Sequence, residues 1–260
     1  MFYFAHDLHH IHLMREYNIT HLKNYYFESI NIKKVEFEIF KKVDIIHVVG
    51  NYEYEYLQKR LNNKIIRNIP LFIFENQYEK IEKDFSKRKD LIFVGQFKHS
   101  PNVDAILWFS KNIFPYIVKK YPNIILHIIS SSIPLQIEKL ESKNIKIEGF
   151  LPDSKLHLIY QKCRIAIAPL RYGAGVKGKI IEAAHNQIPI VTTSIGSEGI
   201  DNSTGAFIVE DDPIKMAKII CDLYVNYTKL KYMSNSGKVL IEKYFSFNKA
   251  KEIILRDINI

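Results

Sequence analysis

The sequence predicts an α/β fold built on a doubly wound parallel sheet with helices on both faces. Two observations carry that prediction. From Leu91 onward, short wholly apolar runs alternate with segments of helical period, the pattern of repeated strand–helix units whose strands are buried on both sides. One stretch, residues 165–199 (IAIAPLRYGAGVKGKIIEAAHNQIPIVTTSIGSEG), joins a strand, a glycine-broken loop, a helix and a second strand in direct succession.

The elements follow in order. Residues 1–5 read as a short apolar strand, then a His-rich turn and a helix over 13–26. A second helical stretch covers 35–42, followed by a strand at 45–49, a helix at 52–61 and a strand at 64–69 that stops at Pro70. Residues 77–90 are densely charged without apolar periodicity and read as a linker. A strand at 91–94 ends at Gly95, and Pro101 opens a helix whose face includes Val103, Ile106, Leu107 and Phe114. Strands at 124–129, 145–147, 165–168, 188–192 and 207–209 alternate with helices at 135–140, 154–160 and around Lys179. Asp212-Pro213 is a helix start signal, and helical patterns continue to the C-terminus. The expected organisation is therefore a first unit (1–76), the linker (77–90), a main lobe (91–245) and a C-terminal helix (246–260) that crosses back to the first unit. Ligands of such sheets sit beyond the strand carboxyl ends, so the loops at Gly95, Gly149 and 173–178 are expected to share one rim.

Composition narrows the partners. The chain has 260 residues, enough for one large or two small domains with real cores. Its formal charge of +9 admits anionic partners, from phosphorylated substrates to acidic lipid headgroups. The lysines are scattered and no arginine-rich run occurs, which sets nucleic acid aside. Cys163 and Cys221 lack metal-ligand spacing and read as reduced core residues of a cytosolic protein. No apolar run approaches a membrane span and no signal-peptide pattern opens the chain, so any work at a membrane is expected to be peripheral.

The loop at 173–178 carries the chemistry. A strand that ends in glycines at a helix start leaves backbone N–H groups unpaired and aimed outward, a ready anion site. Lys177 and Lys179 add positive charge where the helix dipole alone favours acids, which points to an anionic ligand. Val176, Ile180, Ala183 and Ala184 are expected to face the sheet, and Lys179 and Glu182 lie roughly 60° apart on another face. A cation near the helix start and a carboxylate one turn later suit a nucleotide sugar, with diphosphate at the loop and ribose at the carboxylate. An ion pair on a solvated helix is the alternative reading of the same two residues.

These residues resemble the group 1 glycosyltransferases of the GT-B fold, also called family 4. The resemblance covers about 91–245 in four ordered motifs: VGQFKHSPNVDA at 94–105, IEGFLPD at 147–153, APLRYGAGVKGKIIEA at 168–183, and IPIVTT with GSEGI at 188–193 and 196–200. FAHDLHH at 4–10 and VDIIHVVGNYE at 43–53 are similar to the last strands of the family's acceptor lobe. A full enzyme of this family places more strand–helix units ahead of that point. The N-terminal Rossmann-like lobe is thus expected to be incomplete, as a truncated product or with a separate chain supplying the rest.

The resemblance implies transfer of a sugar from a nucleotide-sugar donor to a glycan or lipid-linked acceptor, in surface polysaccharide or glycolipid assembly. It implies retention of anomeric configuration, no metal and no cofactor. The expected place is the cytoplasm, either free or in peripheral contact with the inner face of an anionic membrane. Lys179 is expected to stabilise the leaving diphosphate with the 175–177 amides of Gly175, Val176 and Lys177. Glu182 is expected to hold the ribose, and His6 to touch the transferred sugar unless it lies in a solvated loop. Gly95, Lys98 and Arg171 complete the donor set, with Phe150 bordering the base or buried as an ordinary aromatic. Three positions depart from the family pattern. Ala174 stands where the family commonly has a glutamate that contacts the donor sugar, Gln96 follows Gly95 in place of arginine, and Gln187 replaces a glycine. The missing arginine leaves Lys98, Arg171, Lys177 and Lys179 as candidate cations.

His6, His9, His10 and His12 cluster, but only Asp7 joins them, so no metal site is expected. Trp108 and Phe109 read as core. Two other functions remain open: a non-catalytic nucleotide-sugar-binding or partner subunit, and a nucleotide-sugar epimerase. A Rossmann dehydrogenase is disfavoured, because no Gly-x-Gly-x-x-Gly follows the first strand with an acidic residue at the proper distance.

Overall fold

The computed structural model describes residues 1–71 and 84–258. In chain order the elements are β1 (Phe2–Ala5), α1 (His9–Thr20), α2 (Lys23–Lys42), β2 (Ile45–Val48), α3 (Asn51–Gln58) and β3 (Ile65–Asn68). Then come β4 (Lys89–Val94), α4 (Ser100–Asn112), α5 (Phe114–Lys120), β5 (Leu126–Ile129), α6 (Leu135–Glu138), β6 (Ile145–Glu148) and α7 (Asp153–Lys162). The chain continues with β7 (Cys163–Ala168), α8 (Gly178–His185), β8 (Ile190–Thr192), β9 (Phe207–Val209), α9 (Pro213–Tyr224), α10 (Tyr227–Tyr244) and α11 (Phe247–Ile258).

The strands form two parallel sheets, ordered β1-β2-β3 and β6-β5-β4-β7-β8-β9. In the larger sheet β4 is central. Leu91 pairs with Leu126 on one side and with Ile165 on the other. The chain therefore winds outward from β4 in both directions, and the crevice beyond β4 and β7 is a topological switch point, where α/β sheets bind ligands. Side chains alternate between the two faces of β4. Leu91 and Phe93 join a core with Ile106 and Phe109 of α4 and Ile220 of α9. Ile92 joins the opposite core with Tyr160 of α7 and Ile180 and Ala183 of α8. Every residue of β7 is buried, as a strand covered on both faces requires. Cys163 and Cys221 are free and buried, and burial pushes the Cys163 thiol well up from its ordinary value.

The smaller sheet packs Ile46 and Val48 against Phe40 of α2 and Leu57 of α3. The C-terminal α11 reaches it. Asp257 is bonded to His47 of β2 at 2.8 Å and accepts from Arg67 of β3 at 3.0 Å.

Several boundaries differ from the sequence expectation. The helix expected over 13–26 is two helices. His21 adopts φ 57 and its N–H caps Tyr17 O at 2.7 Å, after which α2 runs unbroken to Lys42. Phe114 does not share a helix with Val103, because Pro115 cannot continue the helical ladder and α5 restarts there. Val176 lies ahead of α8 rather than on it. The expected boundary at 76 and residues 77–83 of the linker lie outside the described residues. In the remainder of that stretch Asp84, Ser86 and Lys87 are exposed, while Phe85 is in the core and Arg88 is buried over the Phe85 ring and donates to Gln161 at 2.9 Å. The start signal at Asp212 acts as read, its carboxylate accepting from the Ile214 and Lys215 amides at 3.0 and 2.8 Å.

Candidate active site

A cleft of about 920 Å³ opens beyond the carboxyl ends of β4, β5 and β6. Gly95 after β4, Ser130 after β5 and Phe150 after β6 form its floor and mouth, Lys179 and Glu182 of α8 its wall, and His6 after β1 reaches it from the opposite sheet. A smaller recess of about 270 Å³ adjoins it, with Asp7, His12, Ala174 and Lys177 in its lining. His99, Asn102, Gly178 and Lys179 border both spaces.

Lys179 stands at their junction. Its ammonium donates to Asn102 Oδ1 and lies 4.5 Å from the centre of the Phe93 ring. Burial, reinforced by Lys177, pulls its pKa down to about 7. Glu182 is moved the other way. Burial, then the nearby Asp153 carboxylate, pushes it up to about 7. No side chain caps the first turn of α8, whose N-cap residue is Lys177. The α8 amides at Gly178 and Lys179 thus share the cleft wall with a half-buried ammonium, an arrangement that stabilises an anion.

The remaining expected residues divide. Gly95, Phe150, Lys179, Glu182 and His6 share the large cleft. Phe150 is 74% exposed at its mouth, which removes the reading of a buried aromatic. Val176 and Lys177 border the recess instead. Lys177 ties its own loop together: Nζ donates to Ala174 O at 2.9 Å and to Gly175 O, and burial lowers its pKa to about 8.

Three expectations are corrected. Gly175 does not offer its amide to a ligand, because that N–H donates to Glu53 Oε1 at 3.0 Å. Its φ is +73, and a Cβ there would stand 2.9 Å from Asp7 Cβ and 3.0 Å from His6 O. Arg171 is committed to a bidentate pair with Asp104, Nε to Oδ2 at 2.9 Å, and lines neither space. Lys98 is exposed and lines neither space.

The histidine cluster separates as well. His10 is bonded to Glu36 and, at 2.9 Å, to Tyr56 OH, while His9 and His12 stand near Asp7 and Glu16 respectively. Trp108 packs half-buried on the core and Phe109 is buried within it. Sequence reasoning missed Asn102, which holds Lys179 from 77 residues away and itself donates to Gln96 O at 2.7 Å. Its signals were its place directly after Pro101 at a helix start and within the motif at 94–105.

A family model described as "Glycosyl transferases group 1" matches residues 88–226. That is more than half of the chain, and the protein belongs to this family. A curated relative from Klebsiella pneumoniae, an uncharacterized 44.6 kDa protein in the cps region, is 27% identical over 251 residues. The match takes in 85% of this chain and 63% of the relative, so the chain spans less than two thirds of that protein's length. Sucrose-phosphate synthase from Thermosynechococcus elongatus superimposes with a TM-score of 0.76 over 99% of this chain and 67% of its own, at 13% identity. S. aureus TarM, solved with Fondaparinux, alpha-GlcNAc-glycerol and UDP, gives a TM-score of 0.69 at 18% identity, over 88% of this chain and 46% of its own. These likenesses show the fold, which is of the GT-B type. Among the described residues no helix is long and apolar enough to cross a membrane.

Proposed function

We propose that the protein transfers a sugar from a nucleotide-sugar donor to a glycan or lipid-linked acceptor in the assembly of surface polysaccharide or glycolipid. The observation that carries the reading is one cleft holding Lys179 and Glu182 on one wall and His6 from the opposite sheet. The family match and the cps-region relative favour the polysaccharide context. UDP in TarM makes a uridine diphosphate donor the first to try.

In this reading the diphosphate lies against the start of α8 and the ribose against Glu182, with the base under Phe150. The acceptor oxygen bonds to the anomeric carbon as that carbon's bond to the diphosphate oxygen breaks. The electron pair stays on the diphosphate, which takes the acceptor's proton. Lys179 and the α8 amides stabilise the charge that develops there, so no metal or cofactor is required. His6 contacts the transferred sugar, and the family resemblance favours retention of configuration. Exposed Leu22, just ahead of α2, and Phe27 on it, beside the exposed Lys23, support a peripheral contact with an anionic membrane at its cytoplasmic face. Ala174, where the family commonly carries a glutamate, favours the second reading, a subunit that binds the donor without turning it over.

Release of UDP or another nucleoside diphosphate from sugar-nucleotide donors, with and without a glycan acceptor, tests the proposal. Acceptor-dependent release supports transfer. Binding without release supports the second reading. Epimerised donor in the absence of acceptor would point to an epimerase, and no binding of any donor would remove the reading altogether.

A further inference from the structure

The loop that faces the recess is held from the opposite side of the molecule. Arg15 of α1 donates to Gly173 O at 2.6 Å and, with both terminal nitrogens, to the Glu198 carboxylate at 2.7 and 2.6 Å. Glu53, in the first turn of α3, is 0% exposed and receives the Gly175 N–H, while its Oε2 is buried with no hydrogen-bond partner. Lys177 lies 4.0 Å from Glu198, and Val176 Cγ2 sits so close to Gly50 and Gly199 that a Cβ at either would meet it at 3.0 or 2.9 Å. Arg15, Glu53 and Glu198 line neither the cleft nor the recess.

A loop with two left-handed glycines, Gly173 at φ +125 and Gly175 at φ +73, has many conformations open to it. Here one carbonyl and one amide of that loop are fixed by side chains from α1 and α3, and its far end continues into the first turn of α8. Glu53 is fully buried and the Arg15–Glu198 pair keeps 20% and 12% of its side-chain surface exposed, so losing the Glu53 bond leaves a buried amide unpaired and losing the pair frees a two-pronged, partly shielded contact.

We propose that Arg15, Glu53 and Glu198 are positioning residues for the donor: they set the shape of the 173–177 loop, and so the affinity for a nucleoside diphosphate, without touching it. Affinity is thereby coupled to the seating of the two sheets on one another. By linkage, a bound diphosphate strengthens that seating to the same degree. The choice of diphosphate as ligand rests on the function proposed above; the restraint on the loop does not.

The test has two readouts on the full chain. Hydrogen exchange over residues 170–180 without ligand reads the restraint, and calorimetric titration with UDP, GDP and ADP reads affinity. Arg15→Ala and Glu198→Ala are each expected to speed loop exchange and weaken diphosphate binding about tenfold. The double variant should be no weaker than either single one, since the pair acts as a unit. Glu53→Ala should behave likewise, whereas Glu53→Gln, which keeps an oxygen for the Gly175 amide, should restore both readouts. If Arg15→Ala does not fold, Arg15→Lys serves, because it keeps the charge and loses the two-pronged bond. Unchanged exchange and affinity in Arg15→Ala and Glu53→Ala would overturn the proposal, as would equal loss in Glu53→Gln and Glu53→Ala. If the unmodified protein binds none of the three diphosphates, the donor reading fails, and loop exchange alone decides whether the restraint exists.

Discussion

Lys179 and Glu182 stand one turn apart on α8, and burial moves their pKa values toward each other, to about 7 each. A cation and a carboxyl are both half-buried at the same wall of one cleft. Neither has its full complement of partners in the protein, and both are placed to gain from a ligand.

Lys179→Ala is expected to weaken UDP binding by more than about tenfold, because charge-assisted phosphate contacts are the strong ones. Calorimetric titration measures it. Affinity equal to that of the unmodified protein would remove Lys179 from the donor site.

Binding is expected to take up a proton. A diphosphate favours the ammonium form, and Lys179 with a pKa of about 7 is only partly charged at neutral pH. Affinity should therefore fall as pH rises from 7 to 9. Titrations in two buffers of different ionisation enthalpy report the proton directly, and identical heats in both would contradict the assignment.

Glu182→Gln is expected to stabilise the protein at pH 8 while weakening nucleotide binding. The folded-state pKa of Glu182 is raised from 4.5 to about 7. Its contribution to stability is thus full below pH 4.5 and lost as pH rises through 7. Above pH 7 the protein carries a desolvated carboxylate that glutamine removes. The expected gain is about 1–2 kcal/mol, below the full shift because the group is half-buried. Lys179 runs oppositely, its destabilisation relieved only as pH rises from about 7 toward 10.5. Melting curves at pH 5 and pH 8 separate the two, and a gain at pH 5 equal to that at pH 8 would refute the assignment.

Arg171→Ala is expected to leave UDP binding unchanged within about twofold and to lower stability by about 1 kcal/mol or less, since the guanidinium serves Asp104 on a partly exposed face. A large loss of affinity would restore it to the donor set.

Gln187→Gly is expected to raise stability by about 1 kcal/mol in denaturant titration. Gln187 adopts φ 51, a region costly for a side-chain-bearing residue, and its Oε1 is buried with no hydrogen-bond partner. Unchanged or lower stability would mean that the glutamine makes compensating contacts.

Much of the larger sheet was legible because its signals are local. The apolar run at 165–168 has few readings besides a central parallel strand, and β7 is buried at every position; its first two residues, Cys163 and the buried Arg164, lay outside that run. Asp212 carries its capping chemistry in its own neighbourhood. The break at His21 was hidden, because nothing in histidine announces a left-handed residue. The fate of individual site residues depended on partners far along the chain. Gly175 and Glu53 are 122 residues apart, and Arg171 and Asp104 are 67 apart. Spacing within one segment showed where an anion would sit. It had no means of showing which of four cations were already engaged.

The crowding around Gly175 bears on attempts to retarget this scaffold. A mutagenesis library that randomises the loop will return only glycine at position 175, since any side chain would collide with the neighbouring strand end. Ala174 borders the recess and is only half-buried. Diversity aimed at a new sugar belongs there, one residue away from the position that tolerates none.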